Sequence, residues 1–131
     1  MATSRQTGGA MIVKVARVIM PWPAKPLWQN RPAHWAKRAA VIKSYRRVAY
    51  YAALAQGLHE RPDPAALLAF SFHPPDRRRR DLHNMPATQK AAIDGIADAM
   101  RVDDELFRCQ WPLAWGEATE GGLVHITVTV A

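Results

Sequence analysis

The chain has 131 residues, enough for one domain with a buried core, and its 49% apolar and 22% charged residues are typical of a globular protein. Its 18 lysines and arginines outnumber 11 acidic residues, which favours a polyanionic partner, nucleic acid first and an anionic membrane surface second. Cys109 is the single cysteine, which excludes an internal disulfide and a cysteine-based zinc site.

A lone cysteine fits a reducing compartment, so the expected location is the cytoplasm. The longest apolar run, Ala65 to Phe70, is far too short to span a bilayer, and no membrane partner is expected. The N-terminal MATSRQTGGA lacks the apolar core of a signal peptide. Residues 1–10 are therefore expected to form a disordered lead, and residues 11–131 one domain.

The first half of the chain predicts a strand followed by a helix. β-branched residues favour a strand over Ile12 to Met20, which the sequence PWP ends. A helix is predicted over Trp35 to Gln56, with Gly57 as its stop. Its expected buried positions recur at three- and four-residue spacing: Val41, Tyr45, Val48, Ala52 and Ala55. The opposite face is basic and is either solvated or a track for DNA phosphates; it carries Lys43, Arg46, Arg47 and Tyr50.

The second half predicts strand, helix and two further strands. A strand over Ala65 to His73 precedes a helix over Ala87 to Met100, with Pro86 in its first turn. Phe107 to Glu117 favours a strand that Pro112 interrupts, which indicates an edge position. The final LVHITVTV alternates apolar and polar residues, as a half-buried strand does. The order is β-α-β-α-β-β, a single α+β domain with a mixed sheet and its helices packed on one face.

The segment HPPDRRRRDLHN places arginines directly beside acidic residues. Asp81 and His83 lie on the connection between the second strand and second helix, where an extended backbone would point both side chains to the same side. Asp103 and Asp104 follow the far end of that helix. A bend at Met100 to Val102 must fold this end back if the carboxylates are to meet.

Converging carboxylates in a basic surface suit one chemistry. Mg²⁺ takes oxygen ligands, commonly one or two carboxylates completed by water and substrate phosphate. Arginines around it would hold the phosphodiester backbone. The segment therefore predicts a metal-dependent nuclease, with one alternative: Arg77 to Arg80 form a solvated loop paired with Asp76 and Asp81.

PDRRRRDLHN, QKAAIDGIADAM and the later DD resemble the RusA family of Holliday junction resolvases, whose pattern reads PDRRRRDLDN, QKAAxDAL and DD. The upstream IMPWPAKPLWQN also resembles that family's opening strand, so the likeness covers residues 11–130. The resemblance implies a homodimeric α+β endonuclease that uses Mg²⁺ or Mn²⁺ to make paired nicks in four-way DNA junctions.

Carried over by position, the resemblance implies metal ligands at Asp81, His83 and Asp104, with Asp103 as a substitute for Asp104. Lys90, within QKAA, would neutralise or orient the scissile phosphate. Arg77, Arg78, Arg79 and Arg80 would grip the DNA backbone, as would Lys43, Arg46 and Arg47 if the basic helix face is a DNA track.

Two departures from the family pattern affect the site. His83 stands where the family has an acid, and it is expected to be a metal ligand or a general base, favouring Mn²⁺ over Mg²⁺. MPAT, at 85–88, is an apparent insertion before Gln89. Placed ahead of the helix it would leave Lys90 in register, which Pro86 favours; placed within the helix it would turn Lys90 away.

The remaining polar and aromatic residues near the motif have supporting roles in this interpretation. Asn84 is expected to brace the loop, Asp76 to be a turn residue or ion-pair partner, and Asp94 and Asp98 to lie on a solvated helix face. Trp22 and Trp28 are the candidates for DNA or dimer contact.

The predicted function is a metal-dependent endonuclease that resolves branched DNA by phosphodiester hydrolysis. The alternatives are a binder of branched DNA that has lost cleavage, and a nuclease of the same chemistry acting on flaps or forks. Cleavage preference, the number of metal ions and the biological setting are not encoded in these motifs.

Overall fold

A computed structural model describes residues 13–28, 34–61 and 64–130. It confirms the predicted α+β class: strands β1 (Lys14–Pro21), β2 (Ala66–His73), β3 (Phe107–Gln110) and β4 (Leu123–Val130), and helices α1 (Trp35–Ala55), α2 (Met85–Thr88) and α3 (Lys90–Met100). The disordered lead expected at residues 1–10 lies outside the described residues. No helix in the described ranges combines the length and apolar character that crossing a bilayer requires.

The four strands form one mixed sheet in the order β1-β4-β2-β3. β4 pairs antiparallel with β1 and β2, whereas β3 pairs parallel with β2. Alternation places one side of each strand in the core beneath the helices: Ala16, Val18 and Met20 of β1, Leu68, Phe70 and Phe72 of β2, and Val124, Ile126, Val128 and Val130 of β4. β3 is the edge strand that Pro112 predicted, but it ends at Gln110, so the expected strand over residues 111–117 is wrong.

Helix α1 packs against α3 through a face that coincides only in part with the predicted one: Tyr45 is buried as expected, Val41 and Ala52 are partly buried, and Ala55 is exposed. Its buried residues are Tyr45, Ala49 and Ala53, while Val48 is 41% exposed. The contact line is shifted because α3 needs small neighbours: a Cβ added at Gly95 would lie 2.2 Å from the Arg46 carbonyl oxygen and 2.8 Å from the Ala49 Cβ. A bulkier stripe would hold the two helices apart. The predicted stop is confirmed, since Gly57 follows the helix with a φ of 79°.

Gly95→Ala should therefore destabilise the fold by about 2 kcal/mol, because the added methyl group meets backbone that a rotamer change cannot move. Urea denaturation of both proteins would measure the difference. Ala40→Ser, on the exposed side of α1, is the control and should stay within about 0.5 kcal/mol of wild type. A Gly95→Ala protein as stable as wild type would contradict the close helix packing.

A series of buried hydrogen bonds fixes the position where α2 meets α3. Tyr45 donates a hydrogen bond to the Pro21 carbonyl oxygen (2.8 Å), and Gln89 Nε2 donates to the Tyr45 hydroxyl (3.4 Å) and to Thr88 Oγ1 (3.1 Å). Burial raises the pKa of Tyr45 to about 12, so the hydroxyl stays protonated. The predicted continuous helix is broken at Gln89, and MPAT forms its own short helix ahead of α3, as the position of Pro86 favoured.

Candidate active site

The arginine run is organised by Asp76. Its carboxylate accepts a hydrogen bond from the Arg78 backbone N–H (2.9 Å) and forms ion pairs with the guanidinium groups of Arg78 (3.3 Å) and Arg80 (2.9 Å). The Arg78 N–H and then the Arg80 side chain hold the pKa of Asp76 below its usual range. Asp76 is thus the ion-pair partner that the sequence predicted, and it shapes the run as a turn.

The four arginines divide into two groups. The Arg80 side chain is only 16% exposed: it also donates to the carbonyl oxygens of Asp76 (3.0 Å) and Arg78 (3.1 Å) and lies 5.8 Å from the Trp22 ring. It therefore braces the loop rather than pointing into solvent. Arg77 and Arg79 are exposed and form no ion pair with any described residue. These two cations, with the largely exposed Arg78, are available to an external anion.

Asp81 and His83 lie in a short turn rather than in an extended segment. Asp81 caps a 3₁₀ turn over Leu82–Asn84, and its Oδ1 accepts the His83 backbone N–H at 3.0 Å. The prediction of an extended backbone at Asp81 and His83 is wrong, because the Asp81 carboxylate accepts a backbone N–H of the turn and stabilises it. Both residues are nevertheless exposed. Asn84 braces the same turn through its backbone, donating its N–H to the Asp81 carbonyl oxygen (3.2 Å).

Two cavities meet at Arg80 and Asp81. The first, named here the basic cavity, has a volume of about 490 Å³; its walls include Trp22, Lys25, Trp28, Arg78, Arg79 and Asn84. The second, the apolar cavity, has a volume of about 540 Å³; its walls include Phe72, Leu82, His83, Pro86, Trp111, Pro112, Leu113 and Trp115. Asp81 is the carboxylate-bearing residue common to both, at the centre of a groove between basic and aromatic walls.

Tryptophan rings connect the two cavities. Trp22 lies 6.3 Å from Trp28 and 6.2 Å from Trp115, measured between ring centroids. Trp28 Nε1 donates to the Pro23 carbonyl oxygen (3.1 Å), which fixes its ring in the proline loop. Trp22 and Trp28 are half-buried, so each has part of its surface in the core and part facing the groove.

Asp104 is folded back onto the start of α3. Helix α3 ends at Met100, and the following Arg101 has a left-handed φ of 58°. Asp103 then caps a second 3₁₀ turn by accepting the Glu105 N–H at 3.0 Å. This bend, at the position predicted, brings the Asp104 carboxylate to the Lys90 ammonium group. The hydrogen bond from Lys90 holds the pKa of Asp104 below its usual range, and Asp104 raises that of Lys90.

Lys90 has a second acidic partner that sequence reasoning did not assign to it. Its ammonium group lies 2.9 Å from the Asp94 carboxylate, one helical turn along α3. Asp94 and Asp98 were expected to lie on a solvated face: Asp98 is exposed as expected, whereas Asp94 is partly buried, and both form ion pairs. Arg46 binds Asp98 through two hydrogen bonds of 2.6 and 2.8 Å and approaches Asp94 at 4.0 Å. The four-residue spacing of Lys90 and Asp94, which places both on one face of a helix, could have indicated this ion pair from the sequence.

The basic face of α1 is only partly available to an external ligand. A shallow cavity of about 320 Å³ is bordered there by Lys43, Arg46, Arg47, Tyr50, Tyr51 and Asp98. Arg46 is engaged by Asp98, and this ion pair lowers the pKa of the Asp98 carboxyl group. Lys43 and Arg47 are exposed and make no ion pair with any described residue, so they retain the predicted capacity to bind phosphate.

The predicted metal ligands are not assembled into a closed cage. Within residues 13–28, 34–61 and 64–130, no group of three or more His, Cys, Asp or Glu side chains is placed to share an ion. Asp104 is paired with Lys90 instead, while Asp81 and Asp103 each cap a 3₁₀ turn. In donor chemistry the residues still fit Mg²⁺ or Mn²⁺, which one or two carboxylates, water and substrate phosphate can complete.

Comparison with known proteins finds a relative of this chain. No family model matches the chain. A protein of Xylella fastidiosa named "Uncharacterized protein" is 35% identical over 127 residues, a match that covers 92% of this chain and 80% of the relative.

Proposed function

Because the chain belongs to the same family as the Xylella fastidiosa protein, whose name states no activity, we propose its function from the groove itself: a metal-dependent endonuclease acting on branched DNA, of the RusA type. The observation that carries the proposal is the position of Asp81. This exposed carboxylate lies where the basic and apolar cavities meet, beside three arginines and within a row of tryptophans. A carboxylate at this position repels the DNA phosphates and weakens binding. A role in chemistry at the phosphate explains why it is placed there.

The basic side of the groove suits the DNA backbone. Arg77, Arg78 and Arg79 are exposed on a turn that Asp76 and Arg80 hold in shape, so they can bind phosphates without first being ordered. Trp22 and Trp28 border the same cavity and offer ring surface to bases that leave the stack. Backbone contacts of this kind are independent of sequence and sensitive to salt, as expected for a protein that recognises the shape of DNA.

In this proposal Asp81, His83 and Asp104 hold the metal ion, with Asp103 as a substitute for Asp104. When bound, the ion polarises the phosphoryl oxygen and activates the attacking water. Lys90 neutralises Asp104 in the free protein, and a DNA phosphate offers its ammonium group an alternative anionic partner. Exchange of Lys90 from carboxylate to phosphate would free Asp104 when substrate is present. The site is thus completed by DNA, in agreement with the open arrangement of its ligands.

Cleavage of synthetic DNA tests the proposal. A labelled four-way junction, a 5′ flap, a fork and a linear duplex of the same sequence would be incubated with the protein in Mg²⁺, in Mn²⁺ and in EDTA. We expect paired nicks in the junction with either metal, faster with Mn²⁺, and none in EDTA or in the duplex. Binding without nicks in both metals from about pH 6 to 9 would discard the catalytic proposal.

A second candidate function is a binder of branched DNA that does not cleave it. The observation that favours it is the ion pair between Lys90 and Asp104, together with the lack of a three-ligand group among the described residues. The same assay separates the candidates, since the binder would shift the junction in a gel in EDTA and leave both strands intact in metal.

His83→Asp should shift the metal preference toward Mg²⁺, because a carboxylate restores a negative, oxygen-donating ligand where imidazole favours softer ions. The ratio of cleavage rates in Mg²⁺ and Mn²⁺ should rise by about tenfold. His59→Asp, an exposed histidine lining neither cavity, is the matched control. An unchanged ratio would remove His83 from the ligand set and leave it as a general base or a bystander.

Symmetric nicking also requires two active sites, so the proposal includes a homodimer and places the protein with DNA in the cytoplasm. The sheet face opposite the helices leaves apolar side chains uncovered, with Val15 53%, Ile19 52% and Leu67 40% exposed. A second copy would cover such residues. Sedimentation at micromolar concentration would distinguish the dimer from a monomer.

A further inference from the structure

The apolar cavity beside Asp81 has rigid aromatic walls. The Trp111 ring stacks on Phe70, with centroids 4.3 Å apart and ring planes inclined by 24°, and it lies nearly parallel to Phe72 at 6.4 Å. Phe70 and Phe72 belong to the core side of β2, so they support Trp111 from beneath. The indole therefore presents a fixed surface to the cavity and need not be ordered by a ligand.

The mouth of this cavity carries an apolar side chain with no cover. Leu113 is 100% exposed and follows Pro112, which restricts the backbone that presents it. Pro86, at the start of the second helical segment, forms part of the opposite wall. A volume of about 540 Å³ lies within the range of small-ligand sites, which suits a planar heterocycle better than a bulky folded partner.

Charge decides which planar ligand fits. Asp81 and His83 border the cavity, and Arg80 lies at its edge with Arg78 and Arg79 in the adjoining basic cavity. A ligand spanning both cavities would combine a flat apolar part with an anionic part, which describes a nucleotide within a DNA strand. Bases in a duplex are stacked and paired, so entry requires an unpaired base, and a branch point supplies one at low cost.

We propose that the apolar cavity binds an unstacked nucleobase next to the phosphate positioned at Asp81. Trp111 provides the stacking surface and Leu113 separates the entering base from its neighbour. This inference rests on the proposed function and deepens it, because a protein that needs such a base selects frayed or branched DNA over continuous duplex. Sequence reasoning missed these residues because it assigned 107–117 to a strand and took Trp22 and Trp28 as the aromatic candidates for DNA contact.

Abasic scanning tests the base pocket. Junctions carrying a single abasic site at each position around the branch would be titrated with the full chain in Ca²⁺, with Kd measured by fluorescence anisotropy. One position should weaken binding by about 10- to 100-fold, the effect of losing one stacked base. The same substitution should have little further effect on Leu113→Ser or Trp111→Ala, since the pocket that would use the base is already impaired.

Leu113→Ser keeps the test valid if Trp111→Ala fails to fold, because Leu113 is fully exposed. Leu54→Ser, an exposed residue of α1 outside both cavities, should retain the full abasic penalty. Equal penalties in wild type and both pocket variants, or no sensitive position, would overturn the base pocket. Cleavage of the intact junction in Mn²⁺ is measured separately. If the junction is nicked but no abasic position weakens binding more in wild type than in the pocket variants, the base pocket alone is rejected. If such a position exists but the junction is not nicked, the nuclease activity alone is rejected.

Discussion

Asp81→Asn is expected to lower the cleavage rate of a four-way junction by about 10³-fold or more while leaving binding equal or tighter. The amide keeps the size of the side chain and can still accept the His83 N–H, so the turn should persist. What is lost is the one carboxylate that borders both cavities. Binding is expected to hold or improve because a negative charge beside the DNA phosphate is removed.

The assay for this variant is single-turnover cleavage in Mn²⁺ with anisotropy binding in Ca²⁺. Glu60→Gln is the matched control: its carboxylate is exposed and lines neither cavity. It should cleave at the wild-type rate. An Asp81→Asn protein that cuts the junction within about tenfold of wild type would show that other residues hold the metal ion.

Lys90→Met is expected to lower both the maximal cleavage rate and the metal concentration that gives half of that rate. Cleavage at saturating metal should fall by about 10²-fold, because a cation that stabilises the phosphate is lost. The Mg²⁺ or Mn²⁺ concentration that gives half the maximal rate should also fall. Asp104 would no longer be neutralised by an ammonium group, whereas Asp94 would keep its contact with Arg46. The apparent metal affinity therefore improves while the maximal rate declines.

Metal titrations of single-turnover rates would separate these effects, with Lys37→Met on the exposed part of α1 as the control. That variant removes the same charge without touching Asp104. A half-saturating concentration unchanged by Lys90→Met would mean that Lys90 does not compete with the ion. An unchanged maximal rate would remove Lys90 from the catalytic machinery and leave it as part of a structural ion-pair network.

Periodicity and turn residues predicted most of the architecture. β1 follows from its β-branched residues, β4 from alternation, the end of α1 from Gly57, and the edge position of β3 from Pro112. The burial of Tyr45 was predicted, but that of Ala49 was not, because Ala49 lies at the close approach of α3 at Gly95. That constraint involves two segments that are distant in the sequence, so the apolar pattern within α1 alone cannot reveal it.

The sequence predicted which residues belong to the candidate site better than it predicted where they lie. The acid and its arginines lie together as expected, and the bend after Met100 brings Asp104 to Lys90. The sequence left open the direction of β3, which is parallel to β2, and it did not predict that Asp104 pairs with Lys90. The place of Trp111 in the apolar cavity was not predicted either, because its ring is held by stacking on Phe70 and Phe72, which lie far from it in the sequence.

The central claim is that Asp81 and Asp104 bind one divalent ion once DNA occupies the groove. Its most direct test is a crystal structure of the full chain bound to a four-way junction in Ca²⁺, which supports binding and slows cleavage. The account predicts one ion with oxygen atoms of Asp81, Asp104 and a DNA phosphate at about 2.3–2.6 Å, and Lys90 moved from Asp104 to a phosphate. A junction bound with Lys90 still on Asp104 and no ion at Asp81 would contradict it.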